Sequence, residues 1–293
     1  GAQVEIENLI EHLKAFGPVE PHDPYMLPIE HQGRRALEIS IADPHFGLRC
    51  FAGPAGANWN IDIAAQAYRD AVDLLMQRAA QFGPFSEIVF VTGNDLLHAD
   101  NVFHTTTQGT TQPEMDSWHH TVLVVERLVI GVIAGLATGC HVHVVVVPGN
   151  HARQTEFLFG LVLDAYFHAH SRVSVDCGPE PYKFWRFGTN LIGFDHGHSI
   201  NPVKLGGIMA QERRHDWADT TYREWHLGDQ HRKGVSQPSM EELGVSIEFL
   251  PSLVPWNEWH KIKGFSHQKR AAVAFVYDAQ EGQIAKVQAN VRL

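Results

Sequence analysis

Five short segments concentrate side chains able to do chemistry: Asp43-Pro44-His45, Gly93-Asn94-Asp95-Leu96-Leu97-His98, Gly149-Asn150-His151, Asp195-His196-Gly197-His198 and Gly228-Asp229-Gln230-His231. Their carboxylates, imidazoles and amide oxygens, with no thiolate, are the donors of a transition-metal site built from nitrogen and oxygen. Taken in order they supply ligands for two adjacent metal ions. Asp43 and His45 stand two residues apart at the end of an apolar run, so an extended backbone would turn both to one face and let them grip one ion. Asp95 is the candidate bridge, because a carboxylate has two oxygens to share between two cations and an imidazole does not. Asn94 competes for that slot, but a neutral amide would bridge poorly. His98, three residues after Asp95, is placed to meet a substrate phosphate. Asn150 offers a neutral oxygen that leaves a metal electrophilic, and the adjacent His151 could donate a proton to a departing oxygen. His196, Asp229 and His231 complete the set, with Asp195 able to orient an imidazole from behind.

Each segment alone has a plainer reading. Gly-Asn is a turn-forming pair for backbone reasons, and the H-x-H spacing recurs at His141/His143 and His168/His170. The first of these opens a strand, at the wrong end of a parallel sheet for a site. The second falls in a predicted helix, where residues two apart point in different directions. His226 reads as a partly exposed strand histidine.

The elements that must position these groups alternate. The pattern predicts strand 36–42, helix 61–82, strand 87–91, helix 113–139, strand 141–147, helix 152–171 and strand 172–175, and thus βαβ units with a largely parallel sheet. Four of the five segments directly follow a strand-like run, where an α/β sheet presents its functional loops. Beyond residue 180 a hairpin is predicted from 182–187 and 190–194 around Gly188-Thr189. A helix at 202–215 and a strand at 221–227 follow. Later β-like runs at 245–250, 271–277 and 284–291 predict a second sheet packed on the first. Residues 1–35, with an amphipathic stretch from Ile6 to Phe16 and prolines at 18, 21, 24 and 28, read as an N-terminal extension. Residues 36–293 form the main domain, in which 235–270 is an irregular insertion.

With 293 residues, 44% hydrophobic and 19% charged, the chain can bury a substantial core. Its formal charge of -10 argues against a broad nucleic-acid surface, although basic clusters remain at Arg213-Arg214, Arg232-Lys233 and Lys261 to Arg270. Cys50, Cys140 and Cys177 are an odd set without CxxC spacing, which suits free thiols in a reducing compartment. The first residues carry neither a basic nor an apolar leader region. The most apolar stretch, Thr121 to Ala137, is broken by Glu126-Arg127 and reads as a buried helix. A cytoplasmic location with no membrane partner is expected.

In this order the segments resemble the motifs of the calcineurin-like metallophosphoesterases, D-x-H, G-D-x-x-(D/N/H), G-N-H, H and G-H-x-H, from about Ala36 to His231. The resemblance implies an α/β fold, a two-sheet β-sandwich flanked by helices. It implies one metal held by Asp43, His45, Asp95 and His231 and another by Asp95, Asn150, His196 and Asp229, with His151 and His98 catalytic. Asn94, inserted before the acid, and Asp229, where the family has histidine, depart from the pattern; Asp229 remains a competent ligand and could change metal preference. Asp95-Leu96-Leu97-His98 resembles the D-L-F-H stretch of SbcD-type DNA repair exonucleases, which favours phosphodiesters, and the segment through Asp100-Asn101 and the Thr-rich loop resembles phosphoesterase-like proteins of phages. The implied function is phosphate-ester hydrolysis with two divalent ions, Mn foremost, or Fe, Zn or Ni. Nucleic acid, as substrate of an exonuclease or endonuclease, competes with small phosphate esters, which a phosphatase or cyclic-nucleotide phosphodiesterase would take. A non-catalytic scaffold on the same fold is the rival from another class, and it would be marked by lost ligand types.

Overall fold

The computed structural model describes residues 34–52, 57–112, 115–229, 239–242, 244–255 and 270–290. The predicted extension apart from residues 34 and 35, and about half of the 235–270 insertion, lie outside these residues, as does His231.

Strands β1 (Arg35–Ser40), β2 (Glu87–Gly93), β3 (His141–Val147) and β4 (Val173–Asp176) pair in parallel in that order. Helices α1 (Ile61–Ala79), α2 (Trp118–Leu136) and α3 (Arg153–Phe167) link them. The Asn60 side chain accepts the Ile63 N–H and caps α1, which fixes where this helix begins. By length and composition α2 could cross a membrane, yet Val125, Leu128, Val129, Val132, Ile133 and Leu136 are buried in the core against the first sheet. Strands β5 (Lys183–Phe187) and β6 (Asn190–Asp195) form the predicted hairpin, and β7 (Tyr222–Leu227), β8 (Ser239–Glu242) and β9 (Val245–Phe249) complete a second sheet ordered β5-β6-β7-β9-β8. The helix predicted over 202–215 is broken. A 3-10 turn at Pro202–Lys204 leads into α4 (Leu205–Glu212), and Arg213 leaves helical geometry before α5 (Arg214–Asp219).

The last two strands correct the prediction. β10 (Ala271–Asp278) and β11 (Gly282–Asn290) do not join the second sheet; β10 pairs antiparallel with β1, and the first sheet runs β11-β10-β1-β2-β3-β4. Ala271 to Tyr277 are buried on both faces, as an inner strand requires. Alternation then defines three apolar layers. Leu37 and Ile39 face the helices, Ala36, Val89, Val145, Phe194 and Phe275 fill the space between sheets, and Leu191, Trp225 and Ile247 meet α4 on the far side. The result is the expected two-sheet sandwich flanked by helices.

A polar network crosses the middle layer. His226 is fully buried and not partly exposed as predicted. Its Nδ1 meets Glu38 Oε1 at 2.6 Å and its Nε2 meets Glu224 Oε2 at 3.3 Å. Ser40 and Tyr277 donate hydroxyls to Glu38, and Tyr277 also reaches Glu224 at 3.1 Å. Burial works against the imidazolium, but Glu38 and then Glu224 outweigh it and push His226 up to about 9. A group raised in this way stabilises the fold below its unfolded value, near 6.5, and that contribution is lost as pH climbs through 9. Tyr277 is pushed well above its ordinary value by burial and the two glutamates, so it stays neutral over that window. The unfolding temperature should therefore fall from about pH 6 to about pH 10 more steeply in the unsubstituted chain than in Glu38→Gln, which removes the main partner. Parallel pH profiles would reject this account.

Candidate metal centre

All five segments emerge at the ends of parallel strands β1, β2, β3, β6 and β7, so the two sheets deliver them to one edge of the sandwich. Backbone bonds then zip the loops together. The N–H groups of Asp43, His45 and Phe46 donate to the carbonyls of Asn94, Asp95 and Leu96 at 2.9, 3.0 and 2.8 Å. Asn94 N–H donates to Val147 O at 2.6 Å, tying the second loop to the third strand.

These loops are strained. Gly93, Asn94 and Asp95 lie in succession at φ 79°, 55° and 60°, and Asp43, His45 and Asp229 also have φ between 41° and 53°. Left-handed backbone is uncommon outside glycine, though Asn and Asp tolerate it best, and such strain gathers at functional sites. Close approach explains two of the glycines. A Cβ on Gly93 would come within 2.2 Å of Val147 O, and one on Gly149 within 2.0 Å of Asp95 Oδ1.

The left-handed turns overturn the extended-backbone expectation for Asp43 and His45. Asp43 joins Asp95 and His196 in one group whose ligand atoms lie within 4.8 Å of one another, while His45 joins His98 and His151 in a second such group. The two groups adjoin through His45 Nε2 and Asp43 Oδ1, 3.8 Å apart.

His196 is the hub of the first group. Its Nε2 points at Asn150 Oδ1 (2.7 Å), Asp95 Oδ2 (3.1 Å) and Asp229 Oδ1 (3.8 Å). Asp229 enters through its backbone, donating its N–H to Asp43 Oδ2 at 3.0 Å. On the other side of the ring, His196 Nδ1 meets Asn94 Oδ1 at 2.5 Å. An amide oxygen only accepts, so Nδ1 carries a proton; Nε2, facing Asn150 Oδ1 and Asp95 Oδ2, carries one too without a metal, and it is this second proton that a cation would displace. The residue that seemed a rival bridge thus orients a ligand. Asn94, and not the expected Asp195, holds this nitrogen, and Asp195 Oδ1 instead accepts the Gly197 N–H at 2.6 Å. The electrostatics report crowded negative charge. Burial opposes a charged His196, yet Asp95, Asp43 and Asp229 push it up to about 10. Burial likewise opposes charge on Asp95, but His196, His151 and His45 hold it well below the usual carboxylate range.

In the second group the ring centroids of His45, His98 and His151 are 4.6 to 5.3 Å apart. His151 Nδ1 donates to the His98 carbonyl at 2.9 Å, and its backbone N–H donates to Asp95 Oδ1 at 2.7 Å. The Thr-rich loop is clipped over this group. Thr107 N–H donates to His151 O at 3.0 Å and its hydroxyl donates to Asp100 Oδ2 at 2.7 Å.

One acid at the centre escaped the sequence reading. Glu156, in the first turn of α3, is fully buried and accepts the N–H of Leu96 and of Gly149, both at 2.6 Å. Burial first, and then Asp95, push it up to about 8. Its only sequence signal is an acid facing the apolar side of α3, with Phe159, Gly160 and Leu163. Carboxylates are almost never fully buried unless paired.

No family model and no curated protein matches the chain. Among solved structures it is similar to a Vps29 double mutant from Entamoeba histolytica, at 14% identity and a TM-score of 0.32, covering 87% of this chain and 99% of that chain. A likeness that slight carries no argument. What the chain itself defines is a class: a two-sheet α/β sandwich whose strand ends carry acidic and imidazole clusters that could hold metal ions.

Proposed function

We propose that this protein is a two-metal phosphoesterase of the calcineurin-like kind, acting on phosphodiesters in preference to monoesters. The observation that carries the proposal is the seat around His196 Nε2, where Asp95, Asn150 and Asp229 converge from both sheets with Asp43 alongside. The donors fit divalent ions. Three carboxylates, an amide oxygen and imidazole suit Mn, Fe, Ni or Zn, and the negative charge of Asp95, Asp43 and Asp229 is what raises His196. The ligands are taken as Asp43, His45, Asp95, Asn150, His196, Asp229 and His231, with Asp95 shared.

When bound, the ions would supply Lewis-acid polarisation of a phosphate oxygen and an activated water. The chain's own residues supply the rest. His98 and His151 flank the ligands and offer imidazole N–H groups to phosphate oxygens. Because His151 Nδ1 is held by a carbonyl, it is Nε2 that donates a proton to the leaving oxygen. The D-L-L-H stretch supports a phosphodiester, including DNA as the substrate of a nuclease; the net charge of -10 supports a small phosphodiester or phosphatase substrate. The ligand types in every described segment speak against a scaffold.

Chelator treatment should abolish hydrolysis, and Mn2+ should restore it. A panel of bis-p-nitrophenyl phosphate, p-nitrophenyl phosphate, cyclic nucleotides and single- and double-stranded DNA reads the substrate class. Undiminished activity in protein shown by elemental assay to be metal-free would refute the proposal.

A further inference from the structure

We propose that Glu156 is the positioning residue that sets the spacing of the metal-binding loops, clamping the Asp95 loop to the Asn150 loop with its two carboxylate oxygens. The assignment rests on the two-metal reading above. One oxygen takes the N–H of Leu96, directly after the bridging acid, and the other takes the N–H of Gly149, directly before the amide ligand. The two loops leave different strands, β2 and β3, and they touch where Gly149 lies against Asp95. Adjacent strands fix the loop origins about 4.8 Å apart. Strand pairing does not fix how far the loop tips separate; beside the His151 N–H that Asp95 accepts, a fully buried acceptor with two oxygens holds them.

The clamp is itself braced. Asp100, two residues beyond the Asp95 segment, accepts the N–H of Thr155 at 2.8 Å and of Gln154 at 3.3 Å, together with the Thr155 hydroxyl at 2.8 Å. This seats the first turn of α3, from which Glu156 projects. Placing a second acid beside Asp95 costs stability in the metal-free chain, because like charges repel and burial disfavours both. The acid stands where two buried backbone N–H groups need acceptors at once, one on each oxygen, which a glutamine with its single acceptor oxygen does not provide.

The test uses Mn2+ alone as probe, with calorimetric titration and elemental analysis of metal-free protein, thermal unfolding without metal, and amide exchange at Leu96 and Gly149. In Glu156→Gln one N–H must face an NH2 group, so one loop is released. Mn2+ affinity should drop about 10- to 100-fold, as for other partners that orient ligands. The two amides should exchange faster, while the metal-free chain unfolds at an equal or higher temperature. Glu156→Asp, which keeps the charge but is shorter, should bind Mn2+ with intermediate affinity, and it decides the matter if the Gln variant does not fold. Unchanged Mn2+ affinity in a folded Glu156→Gln, or in Glu156→Asp where that variant stands in, overturns the assignment of Glu156 alone. Failure of the unsubstituted chain to bind Mn2+ overturns it together with the two-metal reading.

Discussion

Asp95→Asn should lower turnover about a thousandfold, the order expected when a Lewis-acid contribution of several kcal/mol is lost. The substitution keeps the size of the side chain and removes the charge that two cations would share. Asp95 also makes the closest carboxylate contact of His196, at 3.1 Å, and accepts the His151 N–H, so its charge organises both groups. Asn94→Ala should cost less but is not silent. It frees His196 Nδ1 from its acceptor, and metal affinity should weaken about 10- to 100-fold while residual turnover at saturating Mn2+ stays high. Elemental analysis with steady-state rates separates the two. Two ions and normal rates in Asp95→Asn, with metal lost from Asn94→Ala, would move the bridge to Asn94.

His151→Ala should retain both ions and lower turnover about 100- to 10,000-fold for alkyl or nucleotide esters, the range for a lost general acid. The backbone N–H that binds Asp95 survives the substitution, so the ligand set is left in place. The loss should be smallest for p-nitrophenyl esters, whose departing oxygen is already a weak base. A leaving-group series makes the distinction: the variant should show the steeper dependence on leaving-group pKa. Equal losses along the series would reject proton donation. Loss of an ion would instead make His151 a ligand, in keeping with its grouping with His45 and His98.

Much of the architecture was legible because its signals are local. β3 occupies the predicted span without a residue's difference, and the hairpin around Gly188-Thr189, the helices α1 to α3 and the placement of the five segments after strands all follow from hydrophobic period and turn chemistry. Residue types also decided which chemistry is available, since carboxylate, amide and imidazole donors can be counted without coordinates. Four things needed the third dimension. The pairing of β10 with β1 is a choice of partner across more than 200 residues, which no local period encodes. The turn that carries Asp43 and His45 runs through two left-handed backbone angles, and the neighbouring loop supplies carbonyls for their N–H groups. His226 looks like a surface residue until Glu38 and Glu224 arrive from strands in both sheets to pair it. Asn94 and Glu156 acquire their roles from atoms far away in sequence, the ring of His196 and the amides of Leu96 and Gly149. A buried polar group is defined by its partner, and the sequence names the group while only the packed fold brings the partner to it.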